Sequence, residues 1–284
     1  MAKKQPFYNN PVIPEGINTS KSHPIATFLK LFTAIAIILV LSAWLLGKSG
    51  DYLASLVPYS QEVALADVYE APENNDSDIQ LYLENLSEYL SDAMELPDGM
   101  EIHLHYVNEE VDNAFATIGG HIFIYKGLLA KLSSENAIAM VIAHEIAHIK
   151  HRDPIRSLGQ NLAISTGFAL LLGRSNVNLL GSAGLYTQLK FSRDMESSAD
   201  KEGLQALVKT YGHASGATDL FKVLIQLNKD ELIKEPTFFV THPLGKNRIK
   251  QIEMLAKENN WAIDKATKAL PEYFTKWLES EDED

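Results

Sequence analysis

Two histidines spaced four residues apart place the strongest constraint on how this chain folds. His144 and His148 flank Glu145 within residues 143–149. On an α-helix, side chains four apart share one face, about 6 Å apart along the axis, so two imidazoles can bind one metal ion. Glu145 is rotated by about 100° from His144, beside the metal rather than on it. The pattern predicts a zinc site whose general base, Glu145, takes a proton from water at the metal. The alternative is an amphipathic helix that binds no metal.

A second predicted helix supplies acidic partners. Catalytic zinc sites use three protein ligands and leave a fourth position open. Glu196 and Asp200 are also four residues apart, so they share a helix face. We expect Glu196 to be the third ligand. We expect Asp200 to accept the outer N–H of a ligand histidine, His144, and so fix its tautomer. Taken alone, this stretch is equally typical of two solvated acids.

The sequence around the histidines favours a buried helix. Ser133 or Ser134 is the predicted N-cap, and Pro154 is expected to end the helix. Apolar residues recur inside it: Ala137, Ile138, Val141, Ile142, Ile146 and Ile149. A helix that carries metal ligands needs such rigid support.

Residues 25–46 form a long apolar stretch interrupted only by Lys30 and a few small polar residues. A helix of this length spans about 33 Å, enough to cross the hydrocarbon core of a bilayer. Lysines precede it and acidic residues follow it. The positive-inside rule therefore predicts a single span in the inner membrane, a cytoplasmic N-terminus and a periplasmic or extracytoplasmic body. A cleaved signal peptide is the alternative, disfavoured by the polar residues 1–24 and by the lack of a clear cleavage site.

Composition narrows the possible functions. Net charge is −12, and beyond residue 50 the chain holds 20 basic and 36 acidic residues, a net charge of −16. So acidic a body repels nucleic acid, and we expect no such partner. The chain has no cysteine, which excludes disulfides, a cysteine nucleophile and thiolate zinc ligands.

The remaining patterns predict a mainly α fold with a small β-sheet or hairpin (α+β). Strands are expected at residues 101–107, 113–118 and 121–125, with the last two joined at Gly119-Gly120. His103 and His105 share one face of the first strand and are expected to be exposed rather than to bind metal. Further helices are predicted at residues 79–94, 126–132, 217–227, 248–257 and 265–278.

A second apolar stretch, residues 158–173, is short for a membrane span. We expect it to form the first arm of a helical hairpin. The return helix would start near residues 180–185 and end near 209, and it would carry Glu196 and Asp200. The alternative is a second contact with the membrane.

Four ordered segments resemble the membrane-associated zinc metallopeptidases, a family that includes the CAAX prenyl endopeptidase and the HtpX-like proteases. They are Asn113-Ala114-Phe115-Ala116 with Gly119-Gly120-His121-Ile122, residues 143–151 with Arg152-Asp153, residues 192–200, and Thr241-His242-Pro243 with Arg248-Ile249. The resemblance covers about residues 60–255 and is greatest to the single-anchor, periplasm-facing branch. It implies a gluzincin-type domain with one Zn²⁺ per chain on His144, His148 and Glu196, Glu145 as base, and Asp200 behind the ligands.

The chain is expected to consist of five segments. They are a cytoplasmic tail (1–24), a transmembrane anchor (25–46), a juxtamembrane linker (47–76), a zinc metallopeptidase domain (77–278) and an acidic tail (279–284).

His242 is a further candidate site residue, and it lies directly before a proline. Pro243 disfavours helix at His242, so the imidazole can reach into a cleft. It would either donate to the developing oxyanion or bind zinc as a fourth ligand and hold the enzyme closed. We favour the second role, since an enzyme among unfolded proteins benefits from being inactive at rest.

The sequence therefore predicts a membrane-tethered zinc endopeptidase that cleaves unfolded or misfolded envelope proteins. Residues Asn113, Ala114, Phe115 and Ala116 are expected to hold substrate as an added β-strand, a mode largely indifferent to substrate sequence. Two alternatives remain: a chaperone-like protein in which peptide binding matters more than cleavage, and a membrane-tethered scaffold without metal.

Overall fold

The computed structural model describes residues 11–12, 23–66, 77–173, 189–227, 238, 242 and 247–280. Its contacts divide the chain into two units, residues 1–45 and residues 46–284. The predicted start of the return helix, the residues on either side of His242 and most of the acidic tail lie outside the described residues.

The first unit contains most of an apolar helix, α1 (Pro24–Ser55). This helix is long enough and apolar enough to cross a membrane, and its most apolar 18-residue window has no buried residue. Large side chains such as Phe28, Ile35 and Trp44 are more than half exposed. A helix that faced other protein elements would bury such a surface, whereas a lipid-facing helix leaves it exposed. The one N-terminal apolar helix is thus as predicted, although it continues beyond residue 46.

The second unit is mainly helical with one small sheet, which confirms the predicted fold class. After α1 its elements are α2 (Tyr59–Ala66), α3 (Ser77–Met94), β1 (His103–Val107), β2 (Ala114–Ala116), β3 (His121–Tyr125), α4 (Lys126–Leu129), α5 (Glu135–Lys150), α6 (Asp153–Leu171), α7 (Arg193–Tyr211), α8 (Asp219–Leu227), α9 (Arg248–Glu258) and α10 (Glu272–Ser280). Apolar side chains from α3, the sheet, α5 and α7 to α10 form one core.

The described sheet has the strand order β1-β3-β2. β2 and β3 pair antiparallel, as the predicted hairpin requires, but a short 3₁₀ turn, Ile118–Gly120, joins them rather than two glycines alone. β1 pairs parallel with β3, which places His121 opposite His103. His103 is exposed as expected, while His105 is partly buried and hydrogen-bonds His121 at 2.9 Å. His121 of β3 thus lies beside the two histidines of β1, a neighbourhood that their spacing in the sequence does not reveal.

Helix α5 lies at the centre of the second unit. Every side chain from Glu135 to Ile149 is buried, and α3, α7 and β2 pack against the helix. Ser134 caps it, as predicted, by accepting a hydrogen bond from the Ala137 N–H at 3.3 Å. The helix ends at Lys150, and Pro154 does not end it but lies in the first turn of α6. Proline is tolerated there because the first N–H groups of a helix have no partner within it.

Helices α6 and α7 precede and follow residues 174–188, where the predicted hairpin would turn; those residues lie outside the described part of the chain, so the hairpin stays a prediction. α6 begins at Asp153, before the apolar stretch that was expected to start it. α7 begins only at Arg193, with Ser192 as its N-cap, and residues 189–192 are not helical, so the prediction of a helix continuous from residues 180–185 was wrong. It ends at Tyr211, and the following Gly212 has a φ of 76°, which suits glycine. α7 packs along α5, so its acidic residues meet the histidines of α5.

Candidate metal centre

Four buried side chains converge where α5 and α7 meet. His144 and His148 come from α5, Glu196 comes from α7, and His242 comes from a later part of the chain. One ligand atom of each residue lies within 4.8 Å of all the others. The structure thus brings together the three residues that the sequence predicts as ligands, together with His242.

The spacing of these four atoms suits one small cation. The Nε2 atoms of His144 and His148 are 3.2 Å apart, and each lies 3.6 Å from an oxygen of Glu196. His242 Nδ1 lies 3.4 Å from His144 Nε2 and 3.0 Å from Glu196 Oε1. Ligands about 2.0–2.1 Å from a tetrahedral zinc ion are separated by about 3.3 Å. The residues present therefore fit a zinc ion.

Each α5 histidine has a carboxylate on the side away from the cluster. His144 Nδ1 lies 3.1 Å from Asp200 Oδ1, the contact expected from the sequence. His148 Nδ1 donates to Asp153 Oδ2 at 2.9 Å. A proton on each Nδ1 leaves the Nε2 lone pair free, and both Nε2 atoms face the cluster. The carboxylates thereby hold both rings in the tautomer that can bind a metal.

Arg248 connects the two acids of α7. Its guanidinium donates to both oxygens of Asp200 at 2.7 and 2.6 Å, and Nη1 lies 2.6 Å from Glu196 Oε2. The guanidinium also lies over the ring of Phe221, 4.5 Å from its centroid. Because Arg248 is 4% exposed, these carboxylates balance an otherwise buried charge. Arg248 therefore fixes the position of both acids.

The electrostatics of the cluster favour a bound cation. Burial by itself would raise the pKa of Glu196, but electrostatic attraction to His242 and the hydrogen bond with His144 hold this pKa well below its usual value. Burial would lower the pKa of His144, yet its hydrogen bonds with Asp200 and Glu196 raise it to about 9, so a metal ion has to displace a proton from this imidazole. The low pKa of Glu196 keeps its carboxylate ionised, which attracts a cation to the cluster.

Glu145 lies beside the cluster with its carboxylate unused. It is fully buried, and neither of its oxygens accepts a hydrogen bond in the described part of the chain. His242 Nε2 lies 3.4 Å from Glu145 Oε1. A buried carboxylate without a hydrogen bond is costly to the fold, and such groups are retained where they have a chemical role.

Aromatic rings hold two of the histidines. Phe191 stacks on His148 with ring centroids 4.0 Å apart, and Phe238 stacks on His242 at 4.5 Å. The His242 N–H donates to Phe238 O at 2.9 Å, and the Phe238 N–H donates to Asp112 O at 3.0 Å. His242 is thereby tied to the residues immediately before β2.

The predicted substrate strand is β2, and it lies at an edge of the described sheet. Asn113, Ala114, Phe115 and Ala116 are all at most 3% exposed, so their side chains face the protein interior. These values include the backbone, so the edge of β2 is covered in this state and has to be uncovered before a substrate strand can pair with it. The side chains of β2 serve the core.

Sequence reasoning missed the roles of Asp153, Arg248, Phe191 and Phe238. Asp153 could have been found, because it follows the histidine helix directly and α6 returns it to His148. Arg248 was noticed only as part of a motif. Its partners Asp200 and Glu196 lie 48 and 52 positions away along the chain, and no local periodicity connects them to it.

A buried cage of two histidines and a glutamate, with a second glutamate beside it, is the type of site found in metallopeptidases. Residues 77–256 match Peptidase family M48, and the chain belongs to that family. This confirms the resemblance to membrane-associated zinc metallopeptidases.

Several curated relatives are similar to this chain. A putative beta-barrel assembly-enhancing protease of Vibrio cholerae is 27% identical over 229 residues, which cover 74% of this chain and 47% of that protein. The mitochondrial metalloendopeptidase OMA1 of Schizosaccharomyces pombe is 30% identical over 155 residues, covering 53% and 45%. The beta-barrel assembly-enhancing protease of Escherichia coli is 26% identical over 254 residues, covering 81% and 51%. The chain therefore spans about half the length of these relatives.

Proposed function

We propose that this protein is a membrane-anchored, zinc-dependent endopeptidase. The observation that carries the proposal is the buried cluster in which His144, His148, Glu196 and His242 offer four ligand atoms within 4.8 Å of one another. Glu145 lies beside that cluster, and its carboxylate accepts no hydrogen bond among the described residues. The family membership supports the same conclusion.

In this proposal His144 Nε2, His148 Nε2 and a Glu196 oxygen hold one zinc ion. A bound zinc ion supplies Lewis acidity, which makes water acidic enough to ionise near neutral pH and polarises a peptide carbonyl. The protein supplies the rest. Asp200 and Asp153 keep the two imidazoles in the binding tautomer, and Arg248 orients Glu196.

Glu145 is the proposed general base. One of its carboxylate oxygens takes a proton from the attacking water and then returns it to the leaving amine of the cleaved peptide. Its complete burial and lack of hydrogen bonds among the described residues leave both oxygens available for this transfer. The sealed surroundings also strengthen its interaction with developing charge.

His242 is the proposed fourth ligand of a closed resting state. Its Nδ1 completes the cluster of four ligand atoms, and the ring is fully buried. A fourth protein ligand would leave no position for water and substrate, so His242 would have to withdraw before cleavage. The hydrogen bond from Phe238 to Asp112 places Phe238 next to the start of β2, where substrate would enter. Withdrawal of Phe238 and His242 would therefore free the metal position and the start of β2 together.

The proposed substrates are unfolded or misfolded proteins of the cell envelope. An unfolded chain can extend the sheet at β2 through its backbone, which requires no particular side chains. The lysines before the anchor favour a cytoplasmic N-terminus in the inner membrane and a periplasmic catalytic unit. The names of the beta-barrel assembly-enhancing relatives are compatible with a role in envelope quality control.

The direct test is cleavage of an unfolded model protein by the full-length chain in detergent or vesicles. We expect cleavage that a chelator abolishes and added zinc restores. Binding of the unfolded protein without any zinc-dependent cleavage would support the chaperone-like alternative instead.

A further inference from the structure

The C-terminal end of α6 is apolar and exposed. Phe168 is 37% exposed, and Leu170, Leu171 and Leu172 are 71%, 68% and 71% exposed. No charged residue follows Arg156 within this helix. Consecutive large apolar side chains on a protein surface mark a contact with another protein or with a membrane.

Contacts between α6 and α1 indicate whether a protein or a membrane lies next to the C-terminal end of α6. Arg156 pairs with Asp51 near the C-terminus of α1, at 2.7 Å. Three residues further on, Gly159 meets Gly50 so closely that a Cβ on Gly50 would lie 2.2 Å from the Gly159 carbonyl oxygen. Only glycine permits this approach, so the two helices are in backbone contact.

The same pairing continues towards the apolar end of α6. A Cβ on Gly167 would lie 2.4 Å from Leu46 Cδ1. Residue numbers rise along α6 while they fall along α1, so the two helices are antiparallel over this stretch. Leu46 is the last residue of the predicted membrane span. Gly167 therefore lies next to the last residue of that predicted span.

We propose that the end of α6, residues 168–172, inserts into the lipid bilayer beside the anchor. Four residues of helix beyond Gly167 advance about 6 Å, which matches the depth of about 5–10 Å to which interfacial helices bury their apolar faces. The occupant of this apolar surface is lipid, because covalent continuity through α1 brings the membrane to Leu46. The proposal rests on the proposed membrane anchoring of residues 25–46.

A second membrane contact has a consequence for the catalytic unit. α6 begins at Asp153, which hydrogen-bonds His148 at the metal centre. From Asp153 to Phe168 the helix rises about 22 Å. With both α1 and α6 fixed in the bilayer, the unit cannot rotate freely on one helix, and the metal centre is held at a limited distance from the membrane surface.

The absence of cysteine from the chain makes a clean test possible. Single-cysteine variants of the full-length protein are labelled with a polarity-sensitive fluorophore and reconstituted into phosphatidylcholine–phosphatidylglycerol vesicles. Leu171→Cys tests the proposal. Met254→Cys is the matched control, since Met254 is an equally apolar residue on α9 that is 57% exposed. Ile38→Cys reports on the anchor itself.

We expect the Leu171 probe to emit at shorter wavelength than the Met254 probe and to be quenched by spin labels on lipid acyl chains. The Met254 probe should respond only to an aqueous quencher. A Leu171 probe that is reached by the aqueous quencher, or shielded from both quenchers as by a second protein copy, overturns the proposal while the Ile38 probe remains lipid-quenched. An Ile38 probe without lipid quenching would overturn the anchor as well. If Leu171→Cys does not fold, Phe168→Cys gives the same reading.

Discussion

At the scale of single residues, the proposed ligands and the proposed base of the metal centre differ in the partners that they have. Every ligand is held by a second group: His144 by Asp200, His148 by Asp153 and Glu196 by Arg248. Glu145 alone has no hydrogen bond among the described residues. A residue that supports metal binding and a residue that moves protons should therefore respond differently to substitution.

Glu145→Gln separates base from ligand. The variant should keep its zinc, because Glu145 does not belong to the four-residue cluster. It should lose about 10²–10⁴-fold in turnover, the usual contribution of a general base. Turnover and zinc content are measured on the same preparation. Near-normal turnover would remove the proposed mechanism, whereas loss of zinc would show that Glu145 is structural.

Glu196→Ala and Asp200→Ala distinguish the third ligand from its neighbour. Glu196→Ala should remove or greatly weaken zinc binding. Asp200→Ala should weaken it by only about 10–100-fold, as is typical for a group that orients a ligand. Zinc affinity is measured by competition with a chromophoric chelator. If neither substitution changes the affinity, the third ligand lies elsewhere.

His242→Ala has two opposite expected outcomes, and the geometry favours one. His242 Nδ1 lies 3.0 Å from Glu196 Oε1, within the cluster of proposed ligands. If His242 blocks the position that substrate needs, removing its imidazole should raise basal cleavage. A histidine that stabilised the oxyanion would instead cost about 10²–10³-fold in turnover when removed. The initial rate on an unfolded protein, compared with wild type at equal zinc loading, decides between these roles.

At the scale of elements, the position of the metal helix depends on contacts made by α2. Arg152, in the turn after α5, donates to Glu62 Oε2 at 2.6 Å and to Val57 O at 2.6 Å. The other oxygen of Glu62 accepts the Gly119 N–H at 3.3 Å. Glu62 thus ties α2 both to the end of the metal helix and to the turn between β2 and β3.

Glu62→Ala should therefore destabilise the second unit. Breaking a buried ion pair by removing one partner typically costs about 3–5 kcal/mol, and we expect the lower end because Arg152 keeps some exposure. Glu272→Ala is the matched control, since its pair with Lys276 is on the surface and should be worth at most about 1 kcal/mol. Melting curves in detergent measure both. Equal shifts would contradict the assigned role of Glu62.

Elements defined by local sequence patterns could be predicted, whereas contacts between segments distant in sequence could not. The spacing of His144 and His148, like that of Glu196 and Asp200, is a local helical pattern, so both pairs could be placed on helix faces. Apolar periodicity likewise found the main helices, except that the helix predicted at residues 265–278 begins only at Glu272, directly after Pro271. The parallel pairing of β1 with β3 and the partners of Arg248 depend on chain segments that meet only in the folded protein. No local pattern in the sequence encodes them.

The positions at which helices and strands end were also predicted incorrectly in two places. The alternation of residues 113–125 predicted two strands, but the turn between them is the longer Ile118–Gly120 segment. Pro154 was expected to end the metal helix, and instead it helps to begin the next one. The Ile118–Gly120 turn packs against α2, and Arg152, just before α6, donates to Glu62 of α2; in both places the partner is distant in sequence.

At the scale of the whole molecule, the chain combines an apolar helix with a metallopeptidase unit of family M48. Two separate signals in the sequence predicted this combination: the apolar stretch at residues 25–46, and the spacing of His144 and His148 together with the ordered motifs of the metallopeptidase family. The orientation in the membrane and the natural substrates remain proposals. The chain spans only about half the length of its curated relatives, so their whole activities do not transfer to it directly.

The measurement that tests the central claim most directly is the zinc content of the purified full-length protein, determined by elemental mass spectrometry. The account predicts one zinc ion per chain in wild type and its loss in His148→Ala. His105→Ala serves as the control, because His105 lies in β1 and bonds His121 rather than the metal cluster, and it should retain the ion. A zinc-free wild-type protein, or zinc that survives in His148→Ala but is lost from His105→Ala, would contradict the proposed metal centre.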